Sequence, residues 1–261
     1  MPRANRHYIP GHIWHLTHRC HKKEFLLKFG RDRQRWLTWL YEARKRYGLN
    51  VLNYIITSNH VHLIARDNGG RDTIPKSIQL IAGRTGQEYN KRKNRKGAFW
   101  EDRYHATAVE SGDHLVQCMV YVDMNMVRAG AVDHPSEWVF SGFNDIRNPR
   151  LRYTLIDYKG LMNLLGFESL EAMKEARCQW IEEALVKNEK SREGKWTESI
   201  AVGSKGFVER TKEFLGIKVK GRKVMNRSEG YELREPAASY NLHFDPKNGV
   251  LRPENTYFWG D

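Results

Sequence analysis

The sequence predicts an α+β fold in which an antiparallel sheet carries helices on one face. Within the first 130 residues, β-branched and aromatic runs alternate with segments of helical periodicity. Their order is strand, helix, strand, strand, helix, strand, helix, which is the split βαβ pattern of such a sheet. Hydrophobic residues make up 40% of the 261 residues, enough to bury a core.

Each element has a local signal. The strands are short β-branched or aromatic runs, at residues 13–17, 51–57, 60–65 and between 104 and 109. The helices show apolar residues three or four apart, at residues 33–47, 72–89 and 113–126. Turn chemistry at Ser58 and Asn59 predicts a hairpin between the second and third strands. Asp72 or Thr73 and Asp113 are the expected helix caps, and Gly48 and Gly130 the expected stops.

The remainder of the chain has a different pattern of apolar, basic and turn-forming residues. Residues 169–188 and 204–215 form two further amphipathic helices, and residues from 218 onward are basic and then turn-rich. Residues 231–234 and 242–244 are short strand-like pieces. We therefore expect a first domain at 1–150 and a mainly helical appendage at 151–261. The end of the appendage either docks on the first domain or forms a loosely attached tail.

The charge of the chain indicates a polyanionic partner. Lys and Arg total 44 against 31 Asp and Glu, a net charge of +13, which suits nucleic acid or an anionic membrane surface. No apolar run approaches the roughly 20 residues of a membrane span, so nucleic acid is favoured and no membrane partner is expected. The chain opens without an apolar signal core, and its three cysteines are widely spaced, which predicts a reducing cytoplasm without a disulfide framework or zinc ribbon.

The first chemical signal is the pair His60 and His62. Residues two apart in a strand point to the same face, so both imidazoles project together while Val61 packs behind them. Two neutral imidazoles on one strand provide half of a divalent metal site. The alternative is a pair of polar side chains on a solvated sheet face.

The second signal is the pair Tyr121 and Asn125, which are four residues apart and therefore neighbours on one helix face. An amide oxygen is a hard ligand that can complete a histidine site for Mg²⁺ or Mn²⁺. A phenol on the same face would then lie beside the metal. The alternative is an aromatic residue half-buried against the sheet.

At these residues the chain resembles the single-tyrosine HUH transposases, in particular the REP-associated tyrosine transposases. The segments that carry the resemblance are residues 11–17, 60–62, 99–104, 121–130 and 138–141. The resemblance implies a ferredoxin-like catalytic domain that cleaves single-stranded DNA next to a hairpin and transfers the strand through a 5′-phosphotyrosine. It implies Tyr121 as the nucleophile and His60, His62 and Asn125 as ligands of Mg²⁺ or Mn²⁺.

The resemblance also implies a bacterial, nucleoid-associated protein of the cytoplasm, acting on single-stranded or hairpin DNA as a monomer or homodimer. Two positions depart from the family pattern. Met126 stands where the family has a proline, and Cys20 where it has a glycine. Neither departure removes a catalytic atom, but each changes the expected local backbone.

Basic residues outside this centre are candidates for phosphate contacts, with a solubilising charge run as the alternative. They are Arg92, Lys93, Arg95, Lys96, Arg103, Lys218, Lys220, Arg222 and Lys223. Trp100 and Tyr104 are candidates for base stacking, although Trp100 also suits the core.

Two other functions share these features. One is a nicking enzyme of the replication-initiator or relaxase type, and the other is a DNA-hairpin binder that has lost cleavage. The histidines precede the tyrosine in this chain, whereas relaxases place the tyrosine first, so the order favours the transposase reading.

Overall fold

A computed structural model describes residues 9–67, 69–70, 72–187, 193–227 and 229–234. The strands are β1 Ile13–Arg19, β2 Asn50–Ile56, β3 His60–Arg66, β4 His105–Val109, β5 Ala201–Gly203, β6 Lys223–Arg227 and β7 Gly230–Arg234. The helices are α1 Gly30–Tyr47, α2 Thr73–Arg92, α3 Asp113–Asp123, α4 Asn125–Arg128, α5 Gly142–Arg147, α6 Tyr158–Leu165, α7 Leu170–Lys187, α8 Lys195–Glu198 and α9 Lys205–Leu215.

The first four strands form the predicted antiparallel sheet. They lie in the order β2-β3-β1-β4, and every neighbouring pair among them is antiparallel. With α1 after β1 and α2 after β3, this is the ferredoxin-like arrangement, and the predicted α+β class is confirmed. The hairpin between β2 and β3 is also as predicted, closed by the bond from Thr57 N to His60 O at 3.0 Å.

The two faces of this sheet are both covered. Helices α1 and α2 pack on one face, where Trp36 and Ile78 enclose a small cavity with Leu16. Helix α3 lies on the opposite face, so the expectation that all helices share one face holds for α1 and α2 but is wrong for α3. Strand β2 explains the position of α3. Residues 51–56 are all buried, and a strand that is buried on both faces must be covered on both faces.

The C-terminal part extends the same sheet. Strand β5 pairs in parallel with β4, and β7 and β6 follow, giving a mixed seven-stranded sheet ordered β2-β3-β1-β4-β5-β7-β6. The appendage therefore contributes three strands besides its helices. The strand-like residues 242–244 lie outside the described residues.

Helix ends follow the predicted stops more closely than the predicted starts. Gly48 ends α1 in the left-handed region at φ 68°. Asp72 precedes α2 without a side-chain cap, and Asp113 is the first residue of α3 rather than its cap. Ser204 does cap α9, since its Oγ accepts from Phe207 N at 3.3 Å.

In the part of the chain that the structure describes, none of the helices has both the length and the apolar character that a membrane span requires.

Candidate active site

His60 and His62 lie on the face of the sheet that α3 covers, called here the histidine face. Their ring centroids are 5.0 Å apart. The register pairs His62 with Thr17 and Ile64 with His15, so His15 of β1 shares this face. His62 is 2% exposed and His15 is fully buried. The β-strand period of two thus places three imidazoles together at the centre of the sheet.

A chain of hydrogen bonds determines the tautomer of His62. His15 Nδ1 lies 2.9 Å from the carbonyl oxygen of Trp196, and His15 Nε2 lies 2.8 Å from His62 Nδ1. Because a carbonyl only accepts, His15 Nδ1 carries the proton. Burial lowers the pKa of His15 to about 3, so the ring is neutral and its Nε2 accepts. His62 Nδ1 must therefore donate, and the lone pair of His62 lies on Nε2.

His60 has the same tautomer for a different reason. Its Nδ1 lies 2.7 Å from Asn59 Oδ1, while Asn59 Nδ2 donates to the carbonyl oxygen of Lys23 at 3.2 Å. The bond to Lys23 orients the amide so that Oδ1 accepts from His60. His60 Nδ1 is then the protonated nitrogen, and its Nε2 keeps the lone pair. In the neutral form of both histidines, Nε2 is thus the nitrogen available to a metal.

Asn125 lies next to His62, with its Nδ2 3.2 Å from His62 Nε2. The helix is interrupted at Met124, where α3 ends and α4 begins after it. Backbone bonds from Met124 N to Val120 O and from Ala129 N to Asn125 O continue the helical path, so Tyr121 and Asn125 keep one face. The interruption falls one residue before Asn125, and Met126 follows within α4.

Tyr121 packs against the histidines and is 3% exposed. Its ring meets His62 edge-on at a centroid distance of 5.9 Å and lies 6.2 Å from the Trp196 ring. The guanidinium carbon of Arg128 lies 4.3 Å from the centre of the Tyr121 ring, a cation–π contact. Burial lowers the pKa of Arg128, but the tyrosine side chain favours its charged form. Arg128 thus places a positive charge beside the phenol.

A buried ion pair holds α3 in place. Arg177 of α7 donates from Nη2 to both carboxylate oxygens of Asp123, at 2.9 and 2.6 Å, and to Asn53 Oδ1 at 3.1 Å. The side chains of Arg177 and Asp123 are 3% and 1% exposed. Burial raises the pKa of Asp123, and the bonds to Arg177 and Asn53 oppose this rise. The pair fixes α3 two residues from Tyr121.

The donor set at this centre is two imidazole nitrogens and one amide. Within the described ranges, no three His, Cys, Asp or Glu side chains form a group that could hold a metal ion. The third candidate ligand is instead Asn125, whose amide presents Oδ1 to the centre after a half-turn about its terminal bond. Imidazole nitrogen with amide oxygen suits Mn²⁺ and Mg²⁺ better than soft metals.

The candidate phosphate contacts at the end of α2 divide into two kinds. Arg92 forms an ion pair with Asp32, and Arg95 pairs with Glu24 at 3.6 Å. These two guanidinium groups join elements of the protein. Lys93 Nζ lies 5.4 Å from the Phe29 ring. The side chains that remain outward, Lys93, Lys96 and Arg103, are all exposed.

The second basic group lies in the C-terminal part of the chain. Lys218, Lys220 and Lys223 are exposed, and Arg222 is partly buried. Burial lowers the pKa of His105, and the charge of Arg222 adds to this lowering. The strand register places His105 beside Thr17, and Thr17 beside His62. His105 therefore lies on the same face as His62, two strands away, and the charge of Arg222 reaches it.

Three residues that contribute to the site were not predicted from the sequence. His15 lies inside the segment 11–17 and on the inward face of its strand, so the alternation of β1 was a usable signal. Arg128 also stands in a segment that the resemblance includes. Trp196 gave no signal, because its carbonyl reaches His15 across 181 residues of sequence.

Comparison with known proteins finds one family model and solved structures that are similar to part of this chain. Residues 9–125 match the family model of IS200-like transposases. A solved structure of a REP-associated tyrosine transposase bound to a REP hairpin is 20% identical over 60% of this chain and 95% of that chain, with a TM-score of 0.49. A transposase-related structure from Deinococcus radiodurans is 15% identical over 48% and 89% of the two chains, with a TM-score of 0.32. No curated protein matches this chain.

Proposed function

Because residues 9–125 match the family model of IS200-like transposases, we propose that this protein cuts single-stranded DNA beside a hairpin and rejoins it through Tyr121. Residues 1–150 would form the catalytic domain, and residues 151–261 an appendage that supports it. The observation that supports the proposal best is the convergence of His60, His62, Asn125 and Tyr121 on one face of the sheet. The sequence separates the first two from the last two by more than fifty residues.

The residues present fit a divalent cation. The hydrogen-bond chains leave the lone pairs of both histidines on Nε2, and Asn125 lies 3.2 Å from that nitrogen of His62. His60, His62 and Asn125 would hold Mg²⁺ or Mn²⁺. The bound cation would polarise the scissile phosphate and stabilise the charge that develops on its oxygens.

The covalent step requires only one bond exchange. The Tyr121 oxygen forms a bond to phosphorus as the bond to the 3′ oxygen breaks, which leaves a 5′-phosphotyrosine and a 3′-hydroxyl. The phenolic proton goes to solvent, and the leaving oxygen takes up a proton. A second 3′-hydroxyl reverses the step and joins new ends, because the phosphotyrosine retains the energy of the phosphodiester. Arg128, against the ring, stabilises negative charge on the phenol.

The DNA would lie along the basic side chains that remain exposed. Lys93, Lys96 and Arg103 form one group at the end of α2 and before β4, and residues 218–223 form the other, in which the charge of Arg222 reaches His105. The two groups would track the phosphates on either side of the cleavage point. Arg92 and Arg95 contribute through their ion pairs to the shape of the first group.

The burial of Tyr121 favours a second candidate function. With only 3% of its surface exposed, the phenol must move outward to reach a phosphate. A protein in which this movement never occurs would bind hairpin DNA without cutting it. The two candidates differ in one measurable product, the covalent protein–DNA adduct.

The test uses the full chain, a labelled DNA hairpin with an unpaired flank, and Mn²⁺, read on a denaturing gel. We expect a shifted adduct for the wild type, none for Tyr121→Phe, and none after EDTA is added. Hairpin affinity should be nearly unchanged in Tyr121→Phe, because only one hydroxyl is removed. An adduct that persists in the variant would move the nucleophile to another residue, and activity in EDTA would disprove the metal centre.

A further inference from the structure

The loop between β1 and α1 carries an exposed aromatic surface beside His60. Phe25 is 65% exposed and Phe29 is 56% exposed, while the intervening Leu26 and Leu27 are 7% and 0% exposed. The two leucines anchor the loop in the core and leave both phenyl rings in solvent. Two exposed phenyl rings on one short loop cost free energy in an isolated molecule, and such surfaces commonly mark binding sites. We call Phe25 and Phe29 the loop platform.

The loop platform is tied to the catalytic centre. Cys20 N donates to Asn59 O at 2.7 Å, and Leu27 N donates to Ser58 O at 2.9 Å. Asn59 Nδ2 donates to Lys23 O, and the same amide accepts from His60 Nδ1. One amide therefore connects the loop backbone with a candidate metal ligand. The loop platform occupies a fixed position next to the site.

The charge around the loop platform is positive. Lys22, Lys23, Lys28 and Arg31 are exposed, and the acidic Glu24 is offset by Arg95 at 3.6 Å. Lys22 and Lys23 have φ values of 50° and 60°, in the left-handed region that ordinary residues seldom occupy. Such backbone strain is retained where the conformation serves a function. Lys93 lies 5.4 Å from the Phe29 ring, so a cation stands beside one of the rings.

Resting on the proposed function, we propose that Phe25 and Phe29 bind the unpaired bases of the DNA strand that enters the site at His60. The bases stack on the phenyl rings, and the lysines contact the phosphates between them. An aromatic surface bordered by cations matches single-stranded nucleic acid, because every base has a stackable face and every linkage has a negative charge. Duplex DNA does not fit, since its bases are already stacked on one another.

The experiment measures affinity in EDTA, so that no cleavage occurs, with three fluorescent hairpins. One is blunt, one has an unpaired flank, and one has the same flank made of abasic nucleotides. Phe25→Ala and Phe29→Ala should each weaken binding of the flanked hairpin by about five-fold or more. Neither should change binding of the blunt or abasic hairpins. Phe25→Trp, which keeps an aromatic ring at this position, should bind the flanked hairpin as tightly as the wild type does.

The matched control is Tyr153→Ala, which removes another exposed aromatic ring, 70% exposed and outside the site. It should leave all three affinities unchanged. Equal weakening on the abasic flank, or no weakening on any probe, would overturn the proposal. A change in oligomeric state with unchanged DNA affinity would also overturn it, since the surface would then bind protein. Adduct formation by the wild type, measured separately, reports on the proposed function alone.

Discussion

His15 shows how one residue outside the predicted centre determines the tautomer of a residue within it. It accepts from His62 and donates to the carbonyl oxygen of Trp196, which leaves the lone pair of His62 on the nitrogen nearest Asn125. The pattern His60-x-His62 predicts two imidazoles on one face, because strand alternation is a local property. It does not predict which nitrogen of each ring faces the site. That choice depends on partners from other strands.

Replacing His15 by leucine should slow cleavage without unfolding the protein. His62 Nδ1 would lose its acceptor, and the ring would no longer be confined to one tautomer. Loss of such a supporting bond typically costs 10- to 100-fold in metal affinity or activity. We expect a loss of that order in the rate of adduct formation, with hairpin affinity nearly unchanged. A variant as fast as the wild type would show that the tautomer is set elsewhere.

The lowered pKa of His15 predicts acid sensitivity. Its folded value of about 3 lies below the ordinary 6.5, so the unfolded chain takes up a proton first as the pH falls. The stabilisation is therefore complete above about pH 6.5 and is lost as the pH falls toward 3. Each pH unit in this window lowers the free energy of unfolding by up to about 1.4 kcal/mol. The free energy of unfolding, measured with urea at several pH values between neutral and about pH 4, should fall less steeply with falling pH in His15→Leu than in the wild type.

At the scale of elements, the strands and the hairpin were predictable because their signals are contiguous. The turn at Ser58 and Asn59 and the β-branched runs beside it determine the β2–β3 pairing locally. The face on which α3 packs was not predictable in this way. The pair Asp123 and Arg177 holds α3 there, and its members lie 54 residues apart on different helices. A local signal for it was the sequence of β2, in which apolar residues fall on both faces of the strand.

Breaking this pair should destabilise the whole domain. Arg177→Met would leave Asp123, at 1% exposure, as a buried carboxylate without its cation. Removal of one partner from such a pair typically costs about 3–5 kcal/mol. Urea unfolding should show a loss of that size, partly recovered in the double variant Arg177→Met with Asp123→Asn, which buries no charge. A loss below about 1 kcal/mol in the single variant would mean that water reaches the carboxylate.

At the scale of the whole molecule, the structure changes the expected role of the appendage. From the sequence, truncation after residue 188 was expected to alter DNA binding or cleavage without unfolding the first 150 residues. In the structure, β5 pairs with β4 and the Trp196 side chain is fully buried. Truncation would expose the edge of β4 and the histidine face together. We now expect it to lower stability as well as activity.

The C-terminal lysines should contribute to the salt dependence of DNA binding. Each phosphate contact on a single strand contributes about 0.7 to the slope of log affinity against log salt concentration. Replacing Lys218, Lys220 and Lys223 together by alanine should therefore reduce the slope by up to about 2. The same measurement with Lys45→Ala, on the outer surface of α1, provides the control. An unchanged slope in the triple variant would exclude this group from the DNA path.

The bond between His15 and Trp196 has a consequence for synthesis. The two residues are 181 positions apart, and a ribosome adds roughly 5–20 residues per second. A nascent chain thus spends about 10–35 s with β1 made and the acceptor for His15 not yet translated. During that interval, and in any prematurely terminated product, His62 lacks the partner that fixes its tautomer. If the proposed function holds, the site for cleavage is complete only after Trp196 has been translated.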